Sequence, residues 1–229
     1  MRLVSVATLM ATVRLLTAGA LIIGACAAVA RASDLDVSVV DRDGKPVPNV
    51  AVYAVPLGEA SGGSAATATA TMNQIDVQFH PHILIVQQGT AVSFPNTDTI
   101  AHHVYSFSDP QQFDLAIYKG DLHPPVTFDR PGLVTLGCNI HDNMLGYILV
   151  VETDMFGKTN NVGQATLPLN RSGEFKVRIW SPRIRDRSDS LSRTVTLSGG
   201  RDQVLRFSLE SKLRPPRDSD SGALAWSDY

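Results

Sequence analysis

From residue 35 onward, apolar positions recur with a period of two. Leu35, Val37 and Val39 alternate with polar residues, and so do Val50, Val52 and Ala54. This is the pattern of a strand with one buried face. Between them, residues 41–46 read Asp-Arg-Asp-Gly-Lys-Pro, a turn, so a hairpin of two short strands is expected. Residues 58–71 are almost all Gly, Ala, Ser and Thr, the composition of a flexible linker. Strand-like runs follow at 77–79, 83–86 and 90–94, with Gly89 as the turn between the last two. Residues 104–107 make another strand. Residues 110–125 read as loop, anchored by Leu115 and Tyr118. Val134, Leu136 and Cys138 share one face of a strand opened by Pro131-Gly132, and residues 147–152 form the next strand. Further on, residues 165–167 precede a turn at 170–173, after which Phe175, Val177 and Ile179 alternate up to Trp180. Residues 194–197 and 204–209 flank Gly199-Gly200 and predict a last hairpin. Residues 211–229 are rich in Pro, Ser and Asp and predict a disordered tail. No amphipathic helix is expected after residue 32, so the fold class is all-β.

The start of the chain has a different character. Arg2 and Arg14 bracket a basic region, residues 15–30 are apolar or small, and Ala30-Arg31-Ala32 has the A-x-A cleavage pattern. The apolar run is short for a membrane span. Residues 1–32 therefore read as a bacterial signal peptide, which places the mature protein in the periplasm with no membrane span. The alternative uses Ile23-Gly24-Ala25-Cys26 as a lipobox, anchoring a lipoprotein through Cys26. Loss of Arg2, Arg14 and Arg31 moves the formal charge from −2 to −5. A mildly acidic chain with no basic block is a poor partner for nucleic acid. Of the two cysteines, Cys138 alone remains after cleavage, so no intramolecular disulfide can form.

That cysteine heads the most informative motif. Cys138-Asn139-Ile140-His141-Asp142-Asn143-Met144 places a thiolate, an imidazole and a thioether within seven residues. Upstream, Phe94-Pro95-Asn96 leads to the pair His102-His103. A thiolate, two imidazoles and a weak axial sulfur are the ligand set of a blue-copper electron-transfer site. Adjacent histidines on a strand face opposite ways, so at most one of the pair reaches a shared ion. Met144 reads as the axial ligand, with a core methionine as the alternative. A Cys–His nucleophile is also possible at this spacing, but it leaves Met144 without a role. His80 and His82 read as exposed strand residues, the alternative being a second, adventitious metal site. His123 is a loop residue without an evident partner.

These residues carry a family resemblance. Residues 73–152 resemble the cupredoxins, small blue-copper proteins of the plastocyanin, pseudoazurin and amicyanin group. The Cys-x-x-His-x-x-Met spacing is similar to that of amicyanin, as is Phe94-x-Asn96 followed six residues later by His102. In the strand before the cysteine, Val134 and Leu136 stand where the family has aromatics. The resemblance implies a Greek-key β-sandwich holding one type 1 copper ion through His102, Cys138, His141 and Met144. It places His103 where the family usually has Asn, with its backbone N–H donating to the cysteine sulfur. It also implies a hydrogen bond from Asn96 to the Cys138 loop near Asn139. Residues 102–108, 137–142 and 145–148 resemble more closely the bacterial periplasmic cupredoxin-like proteins often labelled methylamine utilization protein. Residues 35–56 and 156–180 each resemble part of a carboxypeptidase-regulatory-like, transthyretin-type β-sandwich. The expected organisation is therefore one such sandwich split into residues 33–57 and 153–210, with a linker at 58–72 and the cupredoxin domain at 73–152 inserted.

The implied function is single-electron transfer between redox partners, one of them a dehydrogenase or a c-type cytochrome, by a monomer that is not itself an enzyme. A periplasmic copper carrier or sensor without redox turnover is the alternative. Copper nitrite reductases and multicopper oxidases need further His-x-His ligands across several cupredoxin domains, and the sequence offers one such domain.

Overall fold

The computed structural model describes residues 33–58, 68–169, 171–187, 190–197 and 203–216. Residues 1–32, with the expected signal sequence and Cys26, lie outside them. The described residues all belong to one compact unit. They contain strands and no helix, so the all-β class is what the structure shows. Among them no helix is long and apolar enough to cross a membrane.

The strands in chain order are β1 (Ser33–Val40), β2 (Ala51–Pro56), β3 (Thr69–Thr71), β4 (Asn73–Ile75), β5 (Gln78–His80), β6 (Ile83–Gln87), β7 (Thr90–Ser93), β8 (His102–Ser108) and β9 (Gln111–Tyr118). They continue with β10 (Val126–Phe128), β11 (Gly132–Gly137), β12 (Leu145–Val151), β13 (Phe156–Lys158), β14 (Gln164–Leu169), β15 (Gly173–Trp180), β16 (Ser192–Leu197) and β17 (Gln203–Ser208).

The middle of the chain builds a five-stranded sheet, β6-β12-β11-β8-β9, a three-stranded sheet, β10-β7-β3, and the small pair β4-β5. Their shared core contains Met72, Phe79, Val92, Phe94, Phe128, Val134, Leu136 and Ile148. Strand β11 shows why: alternate side chains point to one face, so Val134 and Leu136 enter the core together. The two ends of the chain build the sheets β14-β1-β17 and β13-β2-β15-β16. Leu35, Val37, Val39, Val52, Phe175, Val177 and Phe207 fill the core of these sheets. Strands from residues 33–56 are thus paired with strands from residues 156–208, and residues 69–151 lie between them in sequence. A third buried group joins the two sets, where Ala51 of β2 meets Leu149 and Val151 of β12.

Several local expectations change. The predicted hairpin of β1 and β2 begins to form: Val47 N–H donates to Val39 C=O at 3.0 Å, and Asp41 Oδ1 accepts from the N–H groups of Asp43 and Lys45. The chain then turns away at Pro48-Asn49, where Asn49 has φ 56°. As a result β1 and β2 lie in different sheets, because each alternating face is covered by strands from the far end of the chain. The expected last hairpin is likewise absent. Strand β16 pairs with β15, while β17 runs parallel to β1; Gly199 and Gly200 lie outside the described residues. Residues 111–118, expected as loop, form the eight-residue strand β9, with Leu115 and Tyr118 buried. The expected linker ends early, since β3 pairs in parallel with β7 and Met72 is fully buried. Residues 59–67 lie outside the described set. The expected tail also starts later. Leu213 packs on the flank core, and Arg214 N–H donates to Arg183 C=O at 2.8 Å.

Close packing makes one glycine diagnostic. A Cβ at Gly146 on β12 would lie 2.8 Å from Phe79 Cβ, and Phe79 is buried. Gly146→Ala should lower the unfolding free energy by roughly 1–3 kcal/mol through overpacking, measured by urea denaturation.

Candidate metal centre

Strand β11 delivers Cys138 one residue past its end, on the same face as Val134 and Leu136 and 6% exposed. The chain then makes a tight loop, closed by Met144 N–H donating to His141 C=O at 3.0 Å, before β12 begins. His102 is the first residue of β8, the strand paired next to β11. Its Nδ1 lies 3.1 Å from His141 Nδ1, and Cys138 Sγ lies 3.6 Å from the same His141 nitrogen. All three ligand atoms fall within 4.8 Å of one another. His102 is completely buried, while His141 is half-buried and presents an edge to solvent. Met144 is buried at 2% exposure in the same core group as Cys138.

The orientation of His102 has a cause that sequence reasoning missed. Its Nε2 lies 2.9 Å from Asp98 Oδ2. That carboxylate also accepts from Val77 N–H at 2.8 Å and from Thr99 N–H at 2.7 Å. Asp76 and Val77 have φ of 51° and 58°, a turn that aims the Val77 N–H at Asp98. Burial pushes the Asp98 carboxyl up. The Val77 N–H, the His102 ring and the Thr99 N–H outweigh it together, and the group sits below its ordinary value. An ionised carboxylate accepts only, so the His102 proton belongs on Nε2 and the Nδ1 lone pair points at the cluster. The available signal was an acidic residue four positions before the histidine.

His103 lies outside the cluster. Its ring turns to the other face, with Nε2 2.7 Å from Asp114 Oδ1 and the ring tilted on Tyr105 at 5.4 Å. Its backbone N–H donates to Cys138 Sγ at 3.4 Å. Asn96 departs from the expected bond to the Cys138 loop. It is buried, its amide donates to the carbonyls of Ile100 and Tyr118, both at 2.9 Å, and its Oδ1 accepts from Asp98 N–H at 3.0 Å. It ties the Asp98–His102 loop to β9 through the carbonyls of Ile100 and Tyr118. Beneath it, the Tyr118 hydroxyl donates to Phe94 C=O and accepts from Gln74 Nε2 at 2.5 Å. Burial, aided by nearby Asp121, pushes that hydroxyl up to about 12 against the opposing pull of the Gln74 bond. His80 is exposed, and His82 packs edge-on against Tyr147 at 5.3 Å; neither joins the cluster. His123 has the partner that its sequence did not suggest: its Nε2 lies 3.1 Å from Ala116 C=O, and its ring meets Tyr118 at 4.6 Å.

The donor set fits a soft cation. Two Nδ1 atoms facing at 3.1 Å need a proton or a cation between them, since two lone pairs repel. Ligand atoms each about 2.0–2.3 Å from one ion lie roughly 3–4 Å apart, and the spacings of His141 Nδ1 to His102 Nδ1 and to Cys138 Sγ, 3.1 and 3.6 Å, fall in that range. A thiol beside two imidazoles favours copper or zinc over harder ions.

No family model matches the chain, and no curated protein matches it. Among solved structures it is similar to a purple cupredoxin from Nitrosopumilus maritimus, with 19% identity and a TM-score of 0.33 over 36% of this chain and 99% of that one. It is similar to a reduced amicyanin variant, with 19% identity and a TM-score of 0.33 over 43% of this chain and 99% of the other. It is also similar to part of a copper-containing nitrite reductase from Thermus scotoductus SA-01, with 24% identity and a TM-score of 0.36 over 43% of this chain and 25% of that chain. Solved structures similar to this chain thus include cupredoxins and a copper nitrite reductase.

Proposed function

We propose that this protein is a type 1 copper protein of the bacterial periplasm that carries single electrons between redox partners. The observation that carries this reading is the convergence of His102 Nδ1, Cys138 Sγ and His141 Nδ1 at the end of a hydrophobic core. Bound copper would supply the one-electron couple. Cys138 supplies a thiolate, and the His103 N–H steadies its charge. Asp98 holds the His102 ring so that the buried imidazole stays in place in both redox states. His141 offers a half-exposed edge through which an electron can pass without a substrate entering. Met144, at the end of the same loop, would offer bound copper a neutral, weakly binding thioether. The proposed partner is a protein, a dehydrogenase or a c-type cytochrome, and the proposed carrier has no reaction of its own to catalyse.

An absorption spectrum after Cu(II) addition tests this directly. An intense thiolate-to-Cu(II) band with reversible one-electron voltammetry is expected. A colourless protein that binds only Cu(I) would assign it to copper carriage instead. Cys138→Ser should abolish the band, and a variant that stays blue removes Cys138 from the site.

Copper retention should separate the two adjacent histidines. His102→Ala should lose copper, whereas His103→Ala should keep it. Asp98→Ala should fall between them, with affinity lowered about 10–100-fold, as for other carboxylates that orient a metal-binding histidine. Competition against a chelator of known affinity measures all three, and greater loss in His103→Ala than in His102→Ala reverses the assignment.

Met144→Gln replaces a soft sulfur with a harder oxygen. The reduction potential should fall while copper stays bound, as read by voltammetry with metal content checked. An unchanged potential makes Met144 a core residue.

A further inference from the structure

A second site lies away from the metal cluster, where the two sets of sheets face each other. A cavity of about 330 Å³ opens between the 78–83 segment and the flank strands. Its walls mix apolar, cationic and other polar groups, His80 and His82 among the last. Pro48, Pro81 and Pro182 supply rigid apolar surface. Lys158 of β13 and Arg183 supply positive charge, and no Asp or Glu is among the described residues that line it.

That charge is unusual in its setting. The chain as a whole is acidic, with 22 Asp and Glu against 20 Lys and Arg. Lys158 is half-buried, and its ammonium donates to the Ile83 carbonyl at a long 3.3 Å. Arg183 donates through Nε to Arg214 C=O at 3.1 Å. Among the described residues neither cation is in an ion pair. Desolvation alone moves the Lys158 ammonium below its ordinary value, with no opposing carboxylate to restore it. Holding a cation out of water without an anion is unfavourable, and a ligand carrying one would offset that cost. Ser181, itself buried, and exposed Asn49 add neutral polar groups at the cavity wall. Apolar walls with a few convergent polar groups are what small-molecule sites have in common.

We propose that this cavity binds a small organic carboxylate, its anionic end at Lys158 and Arg183 and its apolar body against Pro48, Pro81 and Pro182. The site is independent of the metal cluster and of the function assigned to it.

Calorimetric titration of the protein with benzoate, benzamide and inorganic phosphate tests the proposal. Benzoate should saturate a single site. Benzamide, which keeps the ring and loses the charge, should bind at least tenfold more weakly, and so should phosphate, which keeps the charge and lacks the apolar body. Lys158→Gln should weaken benzoate at least tenfold, and Arg183→Gln, at a separate position, gives the same reading should the first variant fold poorly. Cys138→Ser should leave benzoate affinity unchanged. Equal affinity for benzoate and benzamide, phosphate binding as tight as benzoate, folded Lys158 and Arg183 variants that bind benzoate as before, no heat with benzoate, or a loss of binding in Cys138→Ser would each overturn it.

Discussion

A fully buried imidazole needs a partner for each ring nitrogen, and His102 is fully buried. Much of the local structure follows from that requirement. Nε2 is satisfied by Asp98, which must itself be held, and is, by the N–H groups of Val77 and Thr99. Asn96 then bonds the Asp98 N–H and ties the loop to β9. The other nitrogen, Nδ1, is left facing His141 and Cys138. The cluster is therefore the open end of a polar chain that runs from the turn at Asp76-Val77 to the thiol. A buried imidazole and a buried amide, His102 and Asn96, are stable only when their polar atoms are satisfied. This is why the ring stays oriented toward the cluster.

The surrounding packing makes that geometry rigid. Cys138 and Met144 both belong to the core that contains Phe94, Leu136 and Ile148. The thiol and the thioether are thus held by close-packed apolar neighbours, while the imidazole of His141 alone reaches the surface. Gly137 has a related role. A Cβ there would lie 2.7 Å from the Tyr105 ring, so the absence of a side chain lets the aromatic lie directly against the strand that presents Cys138. Strand β12, which leaves the loop, carries Leu149 and Val151 to the buried contact with Ala51 of β2. The sheets built by the chain ends are coupled to the site through that strand rather than by direct contact with the ligands.

What could be read in advance sorts by distance along the chain. Val134, Leu136 and Cys138 share a face because side chains alternate with period two, so the inward direction of Cys138 needed no knowledge of the fold. The opposite facing of His102 and His103 follows from the same geometry. Cys138, His141 and Met144 lie in one loop, where spacing alone brings donor types together. Asp98 was missed because a carboxylate four residues before a histidine is common on a surface and has meaning only once the histidine is buried and bonded to it. Asn96 was expected to bond the cysteine loop and bonds Ile100 and Tyr118 instead. The choice among nearby carbonyls depends on strand β9, which the sequence pattern presented as loop.

Strand pairing shows the same division most plainly. The alternation in residues 35–39 and 50–54 determined that two strands exist and which side of each is buried. It could not determine their partners. Adjacent strands with a turn between them pair by default, yet β1 lies between β14 and β17, and β2 lies between β13 and β15. Backbone hydrogen bonding is nearly the same for any partner, so the partner is chosen by which apolar faces can be buried together. That choice involves residues more than a hundred positions apart. The sequence by itself therefore determined most of the strands, their faces and the donor atoms of one loop. The tertiary structure alone decided which strands meet and that a carboxylate holds His102 toward the thiol.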